Sequence, residues 1–352
     1  MDKPRRQIVL LTDGAASVVS AKTAYSLLRY LPDEVVAVLD SAQAGKTAQE
    51  FLAVGGDIPC VATLAEVPSA DTLLVGIAPP GGKLPEAWRP ILTEAIGRGL
   101  RIVSGLHDFV SDDEQYAKAA AEAGVELVDV RKNDEKDIGR GEPLADTPVR
   151  VLTIGGDCSV GKMLTAYELT VALKDADVDA KFIATGQTGI MIEGDGCPID
   201  CVVSDFVNGA VERMMHANAN RQVLIIEGQA SIAHPAYSAV SAGLVHGSRP
   251  HGMILVYEAG RTHHFGLDHA PLAPLPDLVA AYENFAGLRH PSKVIAVAMN
   301  SRRLTPEEAD AERERVSAEL GLPVCDPVRD GCQTLVDAVQ KLRHEVEAAS
   351  HD

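Results

Sequence analysis

The segment that most constrains the fold of this 352-residue chain is a glycine-rich loop between a predicted strand and a predicted helix. The apolar run Val149–Ile154 enters the loop, and a helix over Lys162–Lys174 leaves it. The loop has the spacing G-x-x-x-x-G-K, and its residues are Gly156, Asp157, Cys158, Ser159, Val160, Gly161 and Lys162, followed by Met163. Glycines let backbone N–H groups converge on phosphate oxygens, the helix N-terminus adds positive potential, and the lysine adds charge. The sequence therefore predicts an α/β protein with a phosphate-binding loop in its C-terminal half.

The residue after the loop lysine departs from the pattern of nucleotide triphosphatases. In those enzymes a Ser or Thr hydroxyl at this position holds Mg²⁺. This chain has Met163 there, and its next hydroxyl belongs to Thr165. A loop that holds phosphates without this hydroxyl suits a ligand whose phosphates are not transferred. Coenzyme A, with its adenosine and pyrophosphate, is such a ligand.

The order of apolar and helical segments indicates a first α/β domain before the loop. Alternation of the two is typical of a parallel sheet with helices on both faces. The predicted strands are Ile8–Leu11, Val35–Leu39, Thr72–Ile77, Arg101–Ser104 and Glu126–Val130, and the predicted helices are Ala21–Leu31, Glu86–Arg98 and Asp112–Ala123. Asp40 lies where an acidic residue meets a ribose in dinucleotide-binding folds, but the first turn lacks G-x-G-x-x-G. We therefore predict a structural Rossmann-like domain over residues 1–135.

A charged segment with Gly and Pro and without periodicity, residues 131–148, indicates a connection between domains. We place the linker at residues 136–148 and a P-loop NTPase-like α/β domain at residues 149–352. The further strands predicted in this domain are Lys181–Ala184, Val223–Ile226, Met253–Tyr257, Val294–Ala298 and Pro323–Cys325. The further helices predicted there are Phe206–Ala219, Asp277–Ala286, Pro306–Leu320 and Thr334–Ala349.

Composition excludes several classes of partner. A net charge of −18 argues against nucleic acid, whose phosphates are bound by basic surfaces. No segment approaches the roughly 18 apolar residues of a membrane span, and the N-terminus does not have the pattern of a signal peptide. We therefore expect a cytoplasmic protein that acts on a small molecule, with its six cysteines reduced.

Two groups of residues invite a metal interpretation that the spacing does not support. Cys197 and Cys201 have no second Cys/His pair with regular ligand spacing. His263 and His264 are adjacent, and neighbours in sequence rarely face one ion together, even with His269 close by. We expect no metal site.

Four strings in the second half of the chain carry a resemblance to a known family. They are G-G-D-C-S-V-G-K-M at the loop, T-G-Q-T-G-I-M at Thr185–Met191, S-D-F-V-N-G-A-V-E at Ser204–Glu212 and I-I-E-G-Q at Ile225–Gln229. Together they resemble a P-loop family formerly of unknown function that includes D-glutamate N-acetyltransferases of the DgcN type. The resemblance implies acetyl transfer from acetyl-CoA to the amine of D-glutamate or a similar acidic amino acid. It also implies a homodimer of two-domain subunits.

Amine acetylation needs a base, and three residues are candidates. Glu227 ends an apolar strand, so its carboxylate should point into the crevice at the strand tips. Asp205 opens a predicted helix and could instead be its N-cap. His234 follows the Glu227 strand by a short loop. The sequence leaves the identity of the base open among the three.

Other polar side chains are candidates for substrate binding. Gln187 and Thr188 lie between two glycines just after a predicted strand, which suits donors aimed at a ligand as well as a plain turn. Arg261 follows another strand, and its planar fork matches the two oxygens of a carboxylate, although an ion pair within the protein would also account for it. Tyr237 lies close behind His234 and could assist proton transfer or contact the substrate.

Three functions from different classes fit these residues. The first is the acetyl-CoA-dependent N-acetyltransferase. The second is a kinase or ligase of the dethiobiotin synthetase type, whose loop is similar and which uses Mg²⁺ with ATP or GTP. The third is a regulatory protein that senses a nucleotide without turnover. Met163 favours the first over the second, and Glu227, Gln187 and Arg261 at predicted strand tips favour an enzyme over a sensor.

Overall fold

The computed structural model describes residues 6–14, 20–77 and 79–349 and divides the chain into two compact units. The first unit runs to Lys132 and includes Ile190–Gly194. The second comprises Asn133–Gly189 and Asp195–Asp352. Within the described ranges, no helix has the length and apolar character needed to cross a membrane.

The first unit is a six-stranded parallel sheet with its helices in the connections. The strands are β1 (Ile8–Leu11), β2 (Val35–Leu39), β3 (Cys60–Val61), β4 (Thr72–Val75), β5 (Arg101–Ser104) and β6 (Leu127–Asp129), in the order β3-β2-β1-β4-β5-β6. The helices are α1 (Lys22–Tyr30), α2 (Ala48–Leu52), α3 (Arg89–Gly97) and α4 (Glu114–Ala123). This strand order, which reverses between β1 and β4, is that of a doubly wound Rossmann-like sheet. The prediction for this half is confirmed.

Asp40, the acidic residue after β2, is used within the protein. Its buried carboxylate accepts hydrogen bonds from the Thr12 hydroxyl at 3.2 Å and from the Ala42 N–H at 3.1 Å. Burial raises the pKa of this carboxyl above its ordinary value. Part of the first turn, residues 15–17, lies outside the described residues.

The second unit contains a second six-stranded parallel sheet and a small antiparallel hairpin. The sheet strands are β7 (Val149–Gly155), β8 (Ala180–Ile183), β9 (Val223–Ile226), β10 (Gly252–Glu258), β13 (Lys293–Asn300) and β14 (Val324–Cys325), in the order β14-β13-β10-β7-β9-β8. The hairpin consists of β11 (His263–His264) and β12 (Leu267–Pro271). The helices are α5 (Lys162–Asp175), α7 (Val207–Ala217), α8 (Ser238–Ser248), α9 (Leu275–Gly287), α10 (Pro306–Leu320) and α11 (Gln333–Ala349). Helix α6 (Gln187–Glu193) begins in this unit, and its residues from Ile190 onward belong to the first.

The two sheets confirm the predicted fold class, a Rossmann-like domain followed by a P-loop α/β domain. The predicted strands and helices are present, with ends that differ by a few residues. Strands β7, β9 and β10 are buried along their whole length, which explains why they are continuous apolar runs in the sequence. Because β7 lies between β9 and β10, the carboxyl ends of these three strands meet around the glycine-rich loop.

Helix α8 was absent from the predicted elements. Its contact with α7 depends on glycine, because a Cβ at Gly243 would lie 2.2 Å from Val207 Cγ1, and one at Gly247 would lie 2.6 Å from Val211 Cβ. The close approach of the two helices therefore excludes larger side chains there. Because α8 packs through glycines, its sequence lacks the amphipathic pattern from which a helix is usually predicted.

The segment predicted as the linker has neither helix nor strand, and it is held against the second unit. The buried Glu212 carboxylate of α7 accepts the N–H groups of Gly141 and Glu142 at 3.0 and 3.1 Å. The Arg249 guanidinium donates to the Glu142 carbonyl at 2.6 Å. A Cβ at Gly209 of α7 would lie only 1.9 Å from the Asp137 carbonyl oxygen. The segment is thus packed on α7 rather than free in solvent.

Candidate functional site

The glycine-rich loop has the backbone conformation that its glycines predict. Strand β7 ends at Gly155, where a Cβ would lie 3.1 Å from the Val256 carbonyl oxygen. Ser159 and Gly161 have φ angles of 55° and 117°, and Gly161 is the N-cap of α5. No side chain caps this helix, so its first N–H groups face the loop. The loop and the helix N-terminus together offer a positive potential to an anion.

Lys162, the loop lysine, is buried, and its side chain contacts the backbone of the loop. Its Nζ donates to the Asp157 carbonyl oxygen at 2.6 Å. Burial lowers the pKa of this amine to about 8, although the neighbouring Cys158 and Asp157 act in the opposite direction. A bound anion would offset the desolvation of the ammonium and favour its charged form.

The Asp157 carboxylate is fully buried and joins the loop to three other segments. Its Oδ2 accepts from Arg261 Nη1 at 2.6 Å and from the Phe265 N–H at 2.7 Å. Its Oδ1 lies 3.0 Å from Nδ1 of His264 and 3.4 Å from Nε2 of His234. Burial would raise the pKa of Asp157, but hydrogen bonds from His264, Arg261 and the Phe265 N–H hold it below the ordinary value. We conclude that Asp157 is an ionised anchor for the loop.

His234 is held in one tautomer by the backbone. Its Nδ1 accepts the N–H groups of Ala236 at 3.1 Å and Tyr237 at 3.2 Å, so the ring proton belongs on Nε2, which faces Asp157. Burial and the nearby His264 lower the pKa of His234, which favours the neutral ring. The Tyr237 ring stacks on the imidazole with centroids 4.8 Å apart. In this arrangement the neutral His234 ring offers only an N–H group as hydrogen-bond donor, because the lone pair of Nδ1 is already engaged.

Glu227 lies at the tip of β9, beside the loop, and is buried. Its Oε2 accepts the N–H groups of Thr185 at 2.9 Å and Gly186 at 3.0 Å. Gly186 and Gly189 make room for it, since a Cβ at Gly186 would lie 3.1 Å from Oε1 and one at Gly189 would lie 2.5 Å from Oε2. Burial raises the pKa of Glu227 to about 7. A carboxyl with this pKa is well matched to proton transfer near neutral pH.

Glu258 lies at the tip of β10, on the other side of β7, and holds three arginines. Its fully buried carboxylate contacts the guanidinium groups of Arg261, Arg302 and Arg303, the last two at 3.0 and 2.7 Å. Asn300, at the end of β13, donates to the Val160 carbonyl oxygen of the loop at 3.1 Å. Glu258, Arg302 and Arg303 were not among the residues predicted from the sequence. Glu258 carries the signal that singled out Glu227, a carboxylate at the end of an apolar strand.

The structure brings most of the predicted loop and catalytic residues together. Arg261 donates to Asp157 and to the Cys158 carbonyl oxygen at 2.8 Å, so the internal ion pair foreseen as the alternative is present. Gln187 and Thr188 open helix α6, directly after the Gly186 N–H that binds Glu227. Their roles toward a substrate stay predictions.

Two of the predicted site residues, Asp205 and Tyr237, are exposed to solvent. Asp205 is exposed in a 3-10 turn over Ser204–Phe206. The N-cap alternative for it is wrong, because α7 begins after Phe206 and has no side-chain capping bond. Tyr237 is 58% exposed, with its ring over His234. It is therefore accessible to a ligand.

Asp157, Cys158 and His234 place possible metal-ligand atoms within 4.8 Å of one another. The hydrogen bonds argue against that use of them. A proton occupies the Nε2 atom of His234 that faces the other two residues, and Asp157 already accepts from Arg261 and the Phe265 N–H. Hydrogen bonding within the protein accounts for this arrangement better than metal binding does.

Comparisons with known proteins agree with this architecture. Residues 41–133 match a Rossmann-like domain of unknown function (DUF1611_N), and residues 137–336 match a P-loop domain of unknown function (DUF1611_C). A D-glutamate N-acetyltransferase from Pseudoalteromonas sp is 37% identical over 268 residues, which cover 76% of this chain and 80% of that protein. Another from Tritonibacter scottomollicae is 34% identical over 338 residues, which cover 94% and 97% of the two chains. The crystal structure of a DUF1611 family protein from Anabaena variabilis ATCC 29413 superposes with a TM-score of 0.90 at 35% identity, covering 96% of this chain and 99% of that one.

Proposed function

The chain belongs to the DUF1611 family, and on that premise we propose that it is a D-glutamate N-acetyltransferase with acetyl-CoA as the acetyl donor. The names of the two relatives support the reaction and the substrate. The observation that carries the choice of donor is the phosphate-binding loop with Met163 after its lysine. This loop can hold a pyrophosphate, and it lacks the adjacent hydroxyl that would hold Mg²⁺ for phosphoryl transfer.

The residues of the loop fit the pyrophosphate of coenzyme A. The N–H groups at the start of α5 and the ammonium of Lys162 would bind the phosphate oxygens. Asp157 and Asn300 hold the loop in place from two sides. When bound, acetyl-CoA supplies an acetyl group activated as a thioester. The substrate amine forms the new C–N bond, the C–S bond breaks, and the coenzyme leaves as a thiol.

Among the three candidate bases, the contacts favour Glu227. Its pKa of about 7 lets the carboxylate accept the proton that the amine loses. His234 has its Nδ1 lone pair engaged with two backbone N–H groups. Asp205 is exposed in the 3-10 turn before α7, whereas Glu227 is buried beside the loop. We therefore assign the base to Glu227.

If Glu227 is the base, bound acetyl-CoA must place its acetyl group close to Glu227. The pantetheine arm separates the thioester of coenzyme A from its pyrophosphate, and Glu227 is close enough to Lys162 to perturb the pKa of its amine. The acetyl group must therefore return toward the strand tips for Glu227 to act on the amine. Replacing Glu227 should lower kcat if it is the base. A change confined to the KM for acetyl-CoA would instead place Glu227 at the phosphate end.

The test of the proposed function is thiol release from acetyl-CoA, with D-glutamate, L-glutamate and D-aspartate as separate acceptors and with EDTA present. We expect turnover with D-glutamate and no requirement for a divalent metal. Absence of thiol release with every acceptor would reject the proposal. The same acceptors with Mg-ATP would then test the phosphoryl-transfer alternative.

A further inference from the structure

A cluster of three arginines lies beside the loop, and the proposed reaction does not yet account for it. The guanidinium groups of Arg261, Arg302 and Arg303 surround the buried carboxylate of Glu258. Arg261 also pairs with Asp157, so three positive charges face two negative ones. This local excess of positive charge occurs in a chain with a net charge of −18. Such an excess can bind an anion despite the overall repulsion.

The two outer arginines present their donors to solvent. The Arg302 side chain is 39% exposed and the Arg303 side chain is 61% exposed, whereas Arg261 is 7% exposed. Arg303 reaches Glu258 through its Nε, which leaves the four N–H groups of its two Nη atoms, whereas Arg302 donates to Glu258 from Nε and Nη2, which leaves the two N–H groups of its Nη1. These groups match the oxygens of a phosphate in a bidentate manner.

The segment that carries these arginines is fixed relative to the loop. Asp326 accepts the backbone N–H and the hydroxyl of Ser301 at 2.9 and 2.5 Å. Arg329 donates to the carbonyl oxygens of Ser301 and Leu304 at 3.1 and 2.6 Å. Asn300 binds the loop carbonyl of Val160 directly. The arginines are therefore held at a set position beside the phosphate-binding loop.

An exposed aromatic ring completes this surface. Phe265, in the hairpin turn, is 46% exposed, and its backbone N–H donates to Asp157. Its ring centroid lies 5.7 Å from the guanidinium carbon of Arg261, which also contacts Glu258. An exposed ring next to an anion site is the arrangement on which a nucleobase stacks.

We propose that Phe265, Arg302 and Arg303 form a subsite for the adenosine 3′-phosphate of coenzyme A. Phe265 stacks on the adenine, and the two arginines bind the 3′-phosphate while the loop holds the pyrophosphate. The subsite rests on the proposed use of acetyl-CoA and deepens it. It also provides a basis for selectivity, since ATP and dephospho-coenzyme A lack a phosphate at the 3′ position.

A binding experiment tests the subsite without turnover. Calorimetry would compare adenosine 3′,5′-bisphosphate with adenosine 5′-monophosphate on the full-length protein. We expect the bisphosphate to bind at least about tenfold more tightly, since charge-assisted bonds to one phosphate account for that much. The double variant Arg302→Gln/Arg303→Gln should abolish the difference. Equal affinities of the unmodified protein for the two nucleotides would overturn the proposal.

Two further variants separate the parts of the subsite. Phe265→Ala should weaken both nucleotides by a similar factor, because each contains adenine. Arg315→Gln is the matched control, since Arg315 is 55% exposed and pairs with Glu312 and Glu319 on its own helix. It should leave the preference for the bisphosphate intact. Loss of the preference in Arg315→Gln would show a general charge effect and overturn the assignment to Arg302 and Arg303.

Kinetics with two donors distinguish a cofactor phosphate from a substrate carboxylate. The double arginine variant should raise the KM for acetyl-CoA about tenfold and leave the KM for acetyl-dephospho-coenzyme A unchanged. A raised KM for D-glutamate with an unchanged KM for acetyl-CoA would assign the arginines to the substrate and overturn the proposal. Bisphosphate binding that depends on the arginines, in a protein that releases no thiol, would retain the subsite and reject only the proposed reaction.

Discussion

Arg261 donates to Asp157 at 2.6 Å across 104 residues of sequence, and both side chains are buried at the phosphate-binding loop. The pair joins the first turn after β7 to the segment after β10. Because Asp157 also holds the hairpin through His264 and Phe265, one carboxylate fixes the geometry of several loops. Removing it should therefore affect both stability and cofactor binding.

We expect Asp157→Asn to lower the free energy of unfolding by about 3–5 kcal/mol, since it removes one of the two carboxylates that pair with the buried Arg261 guanidinium. Arg261→Met should have a similar effect, and the double variant should lose less than the sum. Urea unfolding of the four proteins measures the coupling. The exposed pair Arg98–Glu94, at 2.8 Å, is the control and should couple by less than about 1 kcal/mol. Additive losses for Asp157 and Arg261 would contradict the description of Asp157 as an anchor.

Glu227→Gln should keep the fold and remove most of the activity. Loss of a general base reduces kcat by about 10²–10⁴-fold. In the unmodified protein, kcat/KM should rise with pH through about 7 as Glu227 loses its proton, and the variant should lack this rise. The pH dependence of thiol release from acetyl-CoA measures both effects. An unchanged pH profile in the variant would assign the titrating group elsewhere.

The same residue predicts a pH dependence of stability. Burial raises the pKa of Glu227 from 4.5 to about 7, so folding favours its protonated form. The contribution of this preference to the free energy of unfolding is fully present below pH 4.5 and is lost as the pH rises through about 7. At pH 8 Glu227→Gln should therefore gain stability relative to the unmodified protein, on the order of 3 kcal/mol at most. Urea midpoints at pH 5 and pH 8 test this, and equal differences at the two values would contradict it.

Lys162→Ala should weaken the binding of acetyl-CoA far more than the binding of D-glutamate. The ammonium belongs to the loop and would bind phosphate oxygens, which only the cofactor carries. Calorimetric titration with each ligand measures the two affinities. Lys174→Ala, an exposed change at the end of the same helix, is the control. An unaltered affinity for acetyl-CoA in Lys162→Ala would exclude the loop from cofactor binding.

Gly209→Ala should destabilise the second unit, because the new methyl group would lie 1.9 Å from the Asp137 carbonyl oxygen. Relief of the clash requires the segment around Asp137 to move off α7. We expect a loss of about 1–3 kcal/mol in urea unfolding. Gly287→Ala in α9 has no neighbouring atom within 4 Å and should be neutral or slightly stabilising. Equal effects of the two substitutions would argue against the contact.

The sequence was most informative where chemistry requires a local pattern. The strand, loop and helix around Gly156–Lys162 could be predicted because phosphate binding needs those residues in that order. Glu227 could be predicted because strand tips converge in a parallel sheet. Helix α8 and the 187–193 helix could not, since their glycines disguise the helical pattern.

The contacts of Asp157 and Glu258 were beyond prediction for another reason. They join residues that are close only after β7, β10 and β13 have paired, and no local pattern records that pairing. The hairpin that carries His264 and Phe265 is short, with only two residues in its first strand. Its contacts with Asp157, which is distant in sequence, hold it beside the loop.

The segment around Gly141 and Glu142, which Glu212 and Arg249 hold against α7, belongs structurally to the second unit. By strand pattern that unit begins at Val149, but its contacts begin near Asn133. A gene fusion or an evolutionary shuffling event that cut at Val149 would expose α7 and leave the buried Glu212 without its backbone donors. Inheritance of this P-loop module should therefore include the irregular stretch before its first strand.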